Sequence, residues 1–162
     1  MADEGDRAGD DDPDVVRVER VIPAPPEAIF ALLADATRHR DIDGSGTVRD
    51  AHGEPERLAL GTSFGMSMKM GVPYSMVSTV IEFEENRRIA WQTRGPTPLG
   101  RFVAGRIWRY ELEPVDGGTR VRESWDITHE AIITKAVVSR AAGETRKNMA
   151  KTLERIEQLT AP

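Results

Sequence analysis

Cysteine is absent from this 162-residue chain. That excludes disulfides, zinc–thiolate sites and thiol nucleophiles together. Long apolar runs are missing as well. No stretch approaches the roughly 18 consecutive apolar residues of a spanning helix, and the N-terminus is acidic where a secretory leader would be basic and then apolar. Neither stable membrane insertion nor export is expected, which leaves the cytoplasm as the default location. A basic surplus is lacking too. The formal charge is −5, and no basic stripe is interleaved with aromatics, so nucleic acid is not an expected partner. No GxSxG, P-loop or GxGxxG pattern occurs in a strand-to-helix context ("GTSFG" at 61–65 runs into a stretch of period two), so nucleophile elbows and phosphate cradles have no support. The three histidines, His39, His52 and His129, are far apart and never at HxH or HxxxH spacing. Neither a metal nor a cofactor is therefore implied.

What is present is an ordinary globular composition: 39% apolar and 30% charged residues, at a length that suits one domain with a substantial core. The charge is unevenly placed. "MADEGDRAGDDDPD" holds seven acids and one arginine, so the rest of the chain is close to neutral. With almost nothing to bury, residues 1–13 are expected to be a disordered acidic tail, and residues 14–160 a single domain.

"DIDGSG" at residues 41–46 has the start of a calcium loop: Asp41, Asp43 and Ser45 alternate ahead of Gly46. Such a loop needs a bidentate glutamate at its twelfth position, where this chain has His52, and an exiting helix, where it has Pro55 and two glycines. The segment reads as a turn.

Val15 to Ile22 is β-branched and partly alternating, a first strand. Pro25 and Pro26 suit the start of a short helix bearing Ile29, Phe30, Leu32 and Leu33. It should break near Asp35, with a second short helix or turn around Thr37 to Arg40. "RHRD" (38–41) reads as a solvated helix end. The period then changes to two. A short strand at Thr47 to Ala51 is followed by "TSFGMSMKM", which places Phe64, Met66, Met68 and Met70 on one face. "YSMVSTVIEFE", "RIAWQTR", "AGRIWRYELEPV" and "TRVRESWDI" give four more strands, the last two joined by "VDGG", a hairpin signal. From Thr134 to Leu159 the period is helical: Val138, Ala142, Thr145, Met149, Leu153 and Ile156 advance by threes and fours. This order is α+β: an antiparallel sheet of about six or seven strands with helices grouped on one side.

The chain resembles the START-like, helix-grip (SRPBCC) superfamily, in its polyketide cyclase/dehydrase and lipid-transport branch. The resemblance covers residues 15 to 159. It rests on "VERVIPAPPEAIFALLAD", "YSMVSTVIEFEENRRIAWQ", "WRYELEPVDGGTRVRESWD" and "KNMAKTLERIEQL". It implies a curved sheet wrapped around a long C-terminal helix, two short helices after the first strand, and an internal cavity between sheet and helix. Members bind sterols, lipids, hormones or polyketides, and some catalyse cyclisation or dehydration.

The last hairpin sharpens the inner face. If Pro114 and Thr119 flank its turn, Leu112 faces Val121, Tyr110 faces Glu123, Trp108 faces Trp125, and Arg106 faces Ile127. Arg109, Glu111, Glu113, Arg120, Arg122 and Asp126 fall on the opposite, solvated face. Glu123 thus stands on an apolar face, where an unpaired charge would cost several kcal/mol, so it must be paired, protonated or wet. It is either a structural glutamate bonded to Tyr110 or to an inward arginine, or a polar anchor or acid/base group for a ligand. The candidate ligand-lining set is Phe64, Met66, Met68, Met70, Trp91, Arg106, Trp108, Tyr110, Glu123, Trp125 and Met149. Methionines suit an adaptable apolar site, and tryptophans offer flat walls. The expected function is binding of a hydrophobic small molecule. One alternative is a cyclase or dehydratase using Glu123 and Tyr110. Another is a regulatory or co-chaperone-like protein acting through a protein partner.

Overall fold

The computed structural model describes residues 12–52, 57–70, 72–94 and 104–162; the acidic tail up to residue 11 lies outside them. β1 (Val15–Ile22) leads into α1 (Pro26–Leu33), which opens on Pro25 in extended conformation with Pro26 in its first turn. Proline suits that position because its missing N–H would have no intrahelical partner. A 3₁₀ turn (Ala36–Arg38) capped by the Asp35 side chain runs into the one-turn α2 (His39–Ile42).

Six strands follow: β2 (Val48–His52), β3 (Ser63–Met70), β4 (Val72–Glu84), β5 (Arg88–Arg94), β6 (Ala104–Val115) and β7 (Gly118–Asp126). With β1 they form one antiparallel sheet in the order β1-β7-β6-β5-β4-β3-β2. Register shifts at Val80/Glu82 and Thr93/Arg94 add local twist, and with the ordinary strand twist they curl the sheet. The β6–β7 hairpin pairs Leu112 with Val121, Tyr110 with Glu123 and Trp108 with Trp125, as expected. The anticipated Arg106–Ile127 pair lies just beyond the ladder, which ends at Ile107 and Asp126. Gly118 is held at φ 156° with Ile22 O 2.0 Å from where a Cβ would stand, so the hairpin turn can lie against the end of β1 only with glycine there.

The sheet's outer face carries ion pairs. Arg109 grips Glu82 through Nε and Nη2 at 2.7–3.2 Å, which holds the Glu82 carboxyl below its usual range. Arg120 binds Glu113 and Arg122 binds Glu19.

The C-terminal helical region departs from the single helix expected over 134–159. It is α3 (Ile132–Val138), a 3₁₀ turn (Ser139–Ala141) and α4 (Ala142–Thr160). At the join the Ser139 hydroxyl donates to Ala136 O, competing with the backbone pattern, and Gly143 follows within the first turn of α4. α4 buries Met149, Leu153 and Ile156, about 1.5–3 kcal/mol each by transfer from water. These side chains meet β1, α1 and α2. Among the described residues, no helix is long and apolar enough to cross a membrane.

Candidate functional site

A cavity of about 420 Å³ lies between the inner face of β3–β7, the start of α4 and the connection from α2 into β2. Its walls come from alternate residues of adjacent strands, as the pleat requires. Met66 and Met68 stand on β3, Met76 and Ser78 on β4, and Trp91 and Thr93 on β5. Arg106, Trp108 and Tyr110 stand on β6, Glu123 on β7, and Met149 and Thr152 on α4. His39, Ile42 and Asp43 close one side. The exposed members Ser45, Ala141 and Glu144 mark the mouth, whereas Glu123, Tyr110 and Met149 are almost fully buried.

The two remaining described candidates stand one layer behind these walls. Phe64 packs edge-on against His39 and Trp91. Trp125 joins Val16, Ile127 and Met149 in a second cluster, 6.3 Å from the ring of Trp108. Met70 falls outside the residues whose side chains are described.

Glu123 is 1% exposed. The Tyr110 hydroxyl donates to its Oε1 at 2.8 Å, and its Oε2 is buried with no hydrogen-bond partner. Loss of water outweighs the Tyr110 bond and, with the nearby Asp43 charge, pushes the Glu123 carboxyl up to about 8. Burial and the adjacent Glu123 hold the Tyr110 phenol well above its usual range. At neutral pH the pair is therefore a carboxylic acid beside a phenol, both uncharged. Arg106 reaches the cavity wall already engaged: its Nε donates to Glu130 Oε1 at 2.8 Å, and Glu130 takes Thr134 Oγ1 on its other oxygen at 3.0 Å.

His39 corrects the expectation of a solvated helix end. It is buried, its Nε2 is 2.9 Å from Leu33 O, and its ring stacks on Trp91. Burial lowers its pKa, so it is a neutral imidazole with Nε2–H donated and Nδ1 unprotonated. The 3₁₀-to-α2 step turns the side chain inward, and a segment this short has no period to reveal it. Met76 was also missed, although it pairs with Met66 across β3–β4, a signal available once that hairpin is registered.

The "DIDGSG" turn forms part of the mouth. Asp43 Oδ1 accepts from Ser45 N and Oγ, and Oδ2 from Val48 N. Both oxygens are occupied in capping the turn. Gly44 lies against α4: its N–H donates to Thr152 Oγ1 at 3.0 Å, and a Cβ would come within 2.0 Å of Asn148 O. Arg155 Nη1 donates to Asp43 O.

Residues 14–160 match the family described as polyketide cyclase/dehydrase and lipid transport. The uncharacterized protein Rv0088 of Mycobacterium tuberculosis (strain ATCC 25618 / H37Rv) is 38% identical over 107 residues, 65% of this chain and 44% of that protein. The matched segment thus spans less than half of that relative. Among solved structures, protein CV1439 of Chromobacterium violaceum superposes with a TM-score of 0.69 at 15% identity, over 93% of this chain and 99% of that one. The Aha1 dimer of Colwellia psychrerythraea gives 0.63 at 18% identity, over 90% and 95%. At such identities the likeness is one of fold.

Proposed function

Since the chain belongs to the polyketide cyclase/dehydrase and lipid transport family, we propose that it binds a hydrophobic small molecule in the cavity between sheet and α4. The observation that supports this is the cavity itself: about 420 Å³, with Met66, Met68, Met76, Met149, Trp91 and Trp108 as its large apolar walls, where a protein without a ligand would gain by closing on itself. Met66, Met68, Trp91, Trp108 and Met149 are the apolar contacts in this reading, and Glu123 with Tyr110 the polar end. Phe64 and Trp125 support the walls from behind. A role resting on protein contacts alone would need no such space.

Nile red, a neutral fluorophore, tests the reading. It should bind with a blue-shifted emission, and Met68→Trp should weaken it while leaving thermal stability nearly unchanged. In a solid core the same change would overpack, at about 1–3 kcal/mol. Unaltered dye binding together with a large loss of stability in Met68→Trp would reject the cavity. Native mass spectrometry of freshly purified protein would show a retained apolar compound.

A second reading, catalysis, is favoured by one observation. The Glu123 carboxyl, raised to about 8 and hydrogen-bonded to Tyr110, is a proton donor at neutral pH inside an apolar pocket. In a cyclisation or dehydration it would protonate a ketone or a departing hydroxyl. Turnover that disappears in Glu123→Gln, with Nile red binding retained, would distinguish enzyme from carrier.

A further inference from the structure

Three features of the cavity bear on the kind of molecule it accepts. At its base, Glu123 Oε2 is buried without a partner. Its sister oxygen Oε1 already accepts from Tyr110, so a proton on this carboxyl resides on Oε2 and needs an acceptor. Leaving a buried donor without one costs about 1–3 kcal/mol. Second, Arg106 is the only lysine or arginine among the described lining residues, and Glu130 holds it. Glu130 is itself shielded, with a side chain only 1% exposed, so it stays with Arg106 when a ligand enters. Third, the other charged-type lining residues are acidic: Glu144 at the mouth, and Asp43, whose charge reaches Glu123. An incoming anion would meet two acids and, among the described lining residues, no uncommitted cation.

We propose that the ligand is uncharged and carries a hydrogen-bond-accepting oxygen, a ketone or similar carbonyl, at its buried end, where it takes the hydrogen bond of the protonated Glu123 Oε2. Free carboxylic acids, including fatty acids, are excluded as anions. This rests on the reading of the cavity as an apolar ligand site and adds to it the ligand's polarity and charge. The neutral His39 imidazole on the same wall adds no positive charge to offset an anion.

Three probes of the same ring and nearly the same shape separate the terms: methyl β-naphthyl ketone, β-ethylnaphthalene and β-naphthoate, each measured by displacement of Nile red. The ketone should bind about tenfold tighter than the hydrocarbon, the value of one buried hydrogen bond. The naphthoate should be weaker than the ketone by about tenfold or more, because its charge must be desolvated unpaired. The ketone has no titratable group, so any pH dependence of its binding belongs to the protein. Its affinity should fall as pH rises through about 8, where Glu123 loses the donor.

Glu123→Leu should abolish the preference for ketone over hydrocarbon. Should that variant not fold, Glu123→Gln serves: its amide N–H keeps the preference while the pH dependence vanishes. Equal binding of ketone and hydrocarbon would overturn the proposal, since a water molecule would then satisfy Oε2. Naphthoate binding as tight as the ketone would overturn it too. Both results leave the apolar cavity standing. Nile red that binds but is displaced by none of the three would overturn the proposal alone, whereas Nile red that does not bind would overturn the cavity reading with it.

Discussion

The imidazole of His39 lies nearly flat on the indole of Trp91, with ring centroids 4.9 Å apart and planes 23° from parallel. One residue comes from a single turn of helix after β1 and the other from the middle of the sheet. Their contact fixes the α2 side of the cavity against its floor, while the hydrogen bond to Leu33 O fixes the ring's tautomer.

His39→Phe should preserve that stacking while leaving Leu33 O without its donor, at a cost of about 1 kcal/mol. The pH dependence is more telling. Burial lowers the His39 pKa from its ordinary 6.5, so below about that pH the unfolded chain takes up a proton that the folded one refuses. Wild-type stability should therefore fall as pH drops through and below 6.5, with a slope of at most about 1.4 kcal/mol per unit from this group. His39→Phe should lose that component. Urea denaturation midpoints at several pH values measure it, and parallel pH profiles for the two proteins would contradict it.

Glu123 acts with the opposite sign. Its folded pKa of about 8 lies above the ordinary 4.5, so between those values the folded protein holds a proton that the unfolded chain has released. Stability should decline with rising pH across that window and level off above it. Glu123→Gln removes the titration while keeping a hydrogen-bonding group beside Tyr110. Its stability relative to wild type should improve steadily from about pH 5 to about pH 8 and then stay constant. A difference between the two that does not vary with pH would mean that Glu123 is hydrated or paired.

Gly44→Ala should destabilise the fold by about 1–3 kcal/mol or more. The added methyl would meet the backbone oxygen of Asn148, which α4 cannot move without shifting its own ladder. Gly46, the last residue of the same segment, has open space around it despite its φ of 69°; Gly46→Asn, tolerant of that backbone, should cost under about 1 kcal/mol. Thermal melts of the pair distinguish packing from backbone strain.

Millimolar calcium should leave the melting temperature unchanged, because a ligand stabilises only by binding the native state. Asp43 spends both oxygens on Ser45 and Val48, and Asp41 is bridged by Arg38. A calcium-dependent rise that Asp41→Ala abolishes would show otherwise.

The parts of the fold that were legible in the sequence are those governed by a period. The turn "VDGG" fixes the β6–β7 register, and from it the Tyr110–Glu123 pairing follows by counting. β5 spans Arg88–Arg94, the whole of the segment "RIAWQTR" read as a strand. Periodicity assigns a face but not a depth. Trp108 and Trp125 share one face and are direct partners, yet Trp108 reaches the cavity while Trp125 is covered by Val16 and Met149. The difference arises because β1 pairs beside β7, setting Val16 opposite Trp125, while α4 packs across β7, a tertiary fact that no local pattern contains. His39 was illegible for a related reason: a one-turn helix is too short to have an inner face on paper. The step at Ser139–Ala141 was hidden by residues that all permit helix; there the Ser139 hydroxyl donates to Ala136 O and Ala141 reaches ψ −2°.

The sheet ends at β1 on one side and β2 on the other, and α4 spans the space between them: it packs on β1 and α1, and the Gly44 turn that leads into β2 is hydrogen-bonded to it. The helix is in effect the last stave of an unfinished barrel. The other staves are locked to their neighbours by backbone hydrogen bonds, so their spacing is the same whatever side chains they carry. The helix shares no backbone ladder with the sheet, and apart from the close Gly44 contact its distance from the sheet follows the size of the side chains between them. Met149 and Thr152 face the cavity from this movable stave. Exchanging them for smaller or larger residues would retune the bore for a different molecule while every rung of the sheet stayed in register.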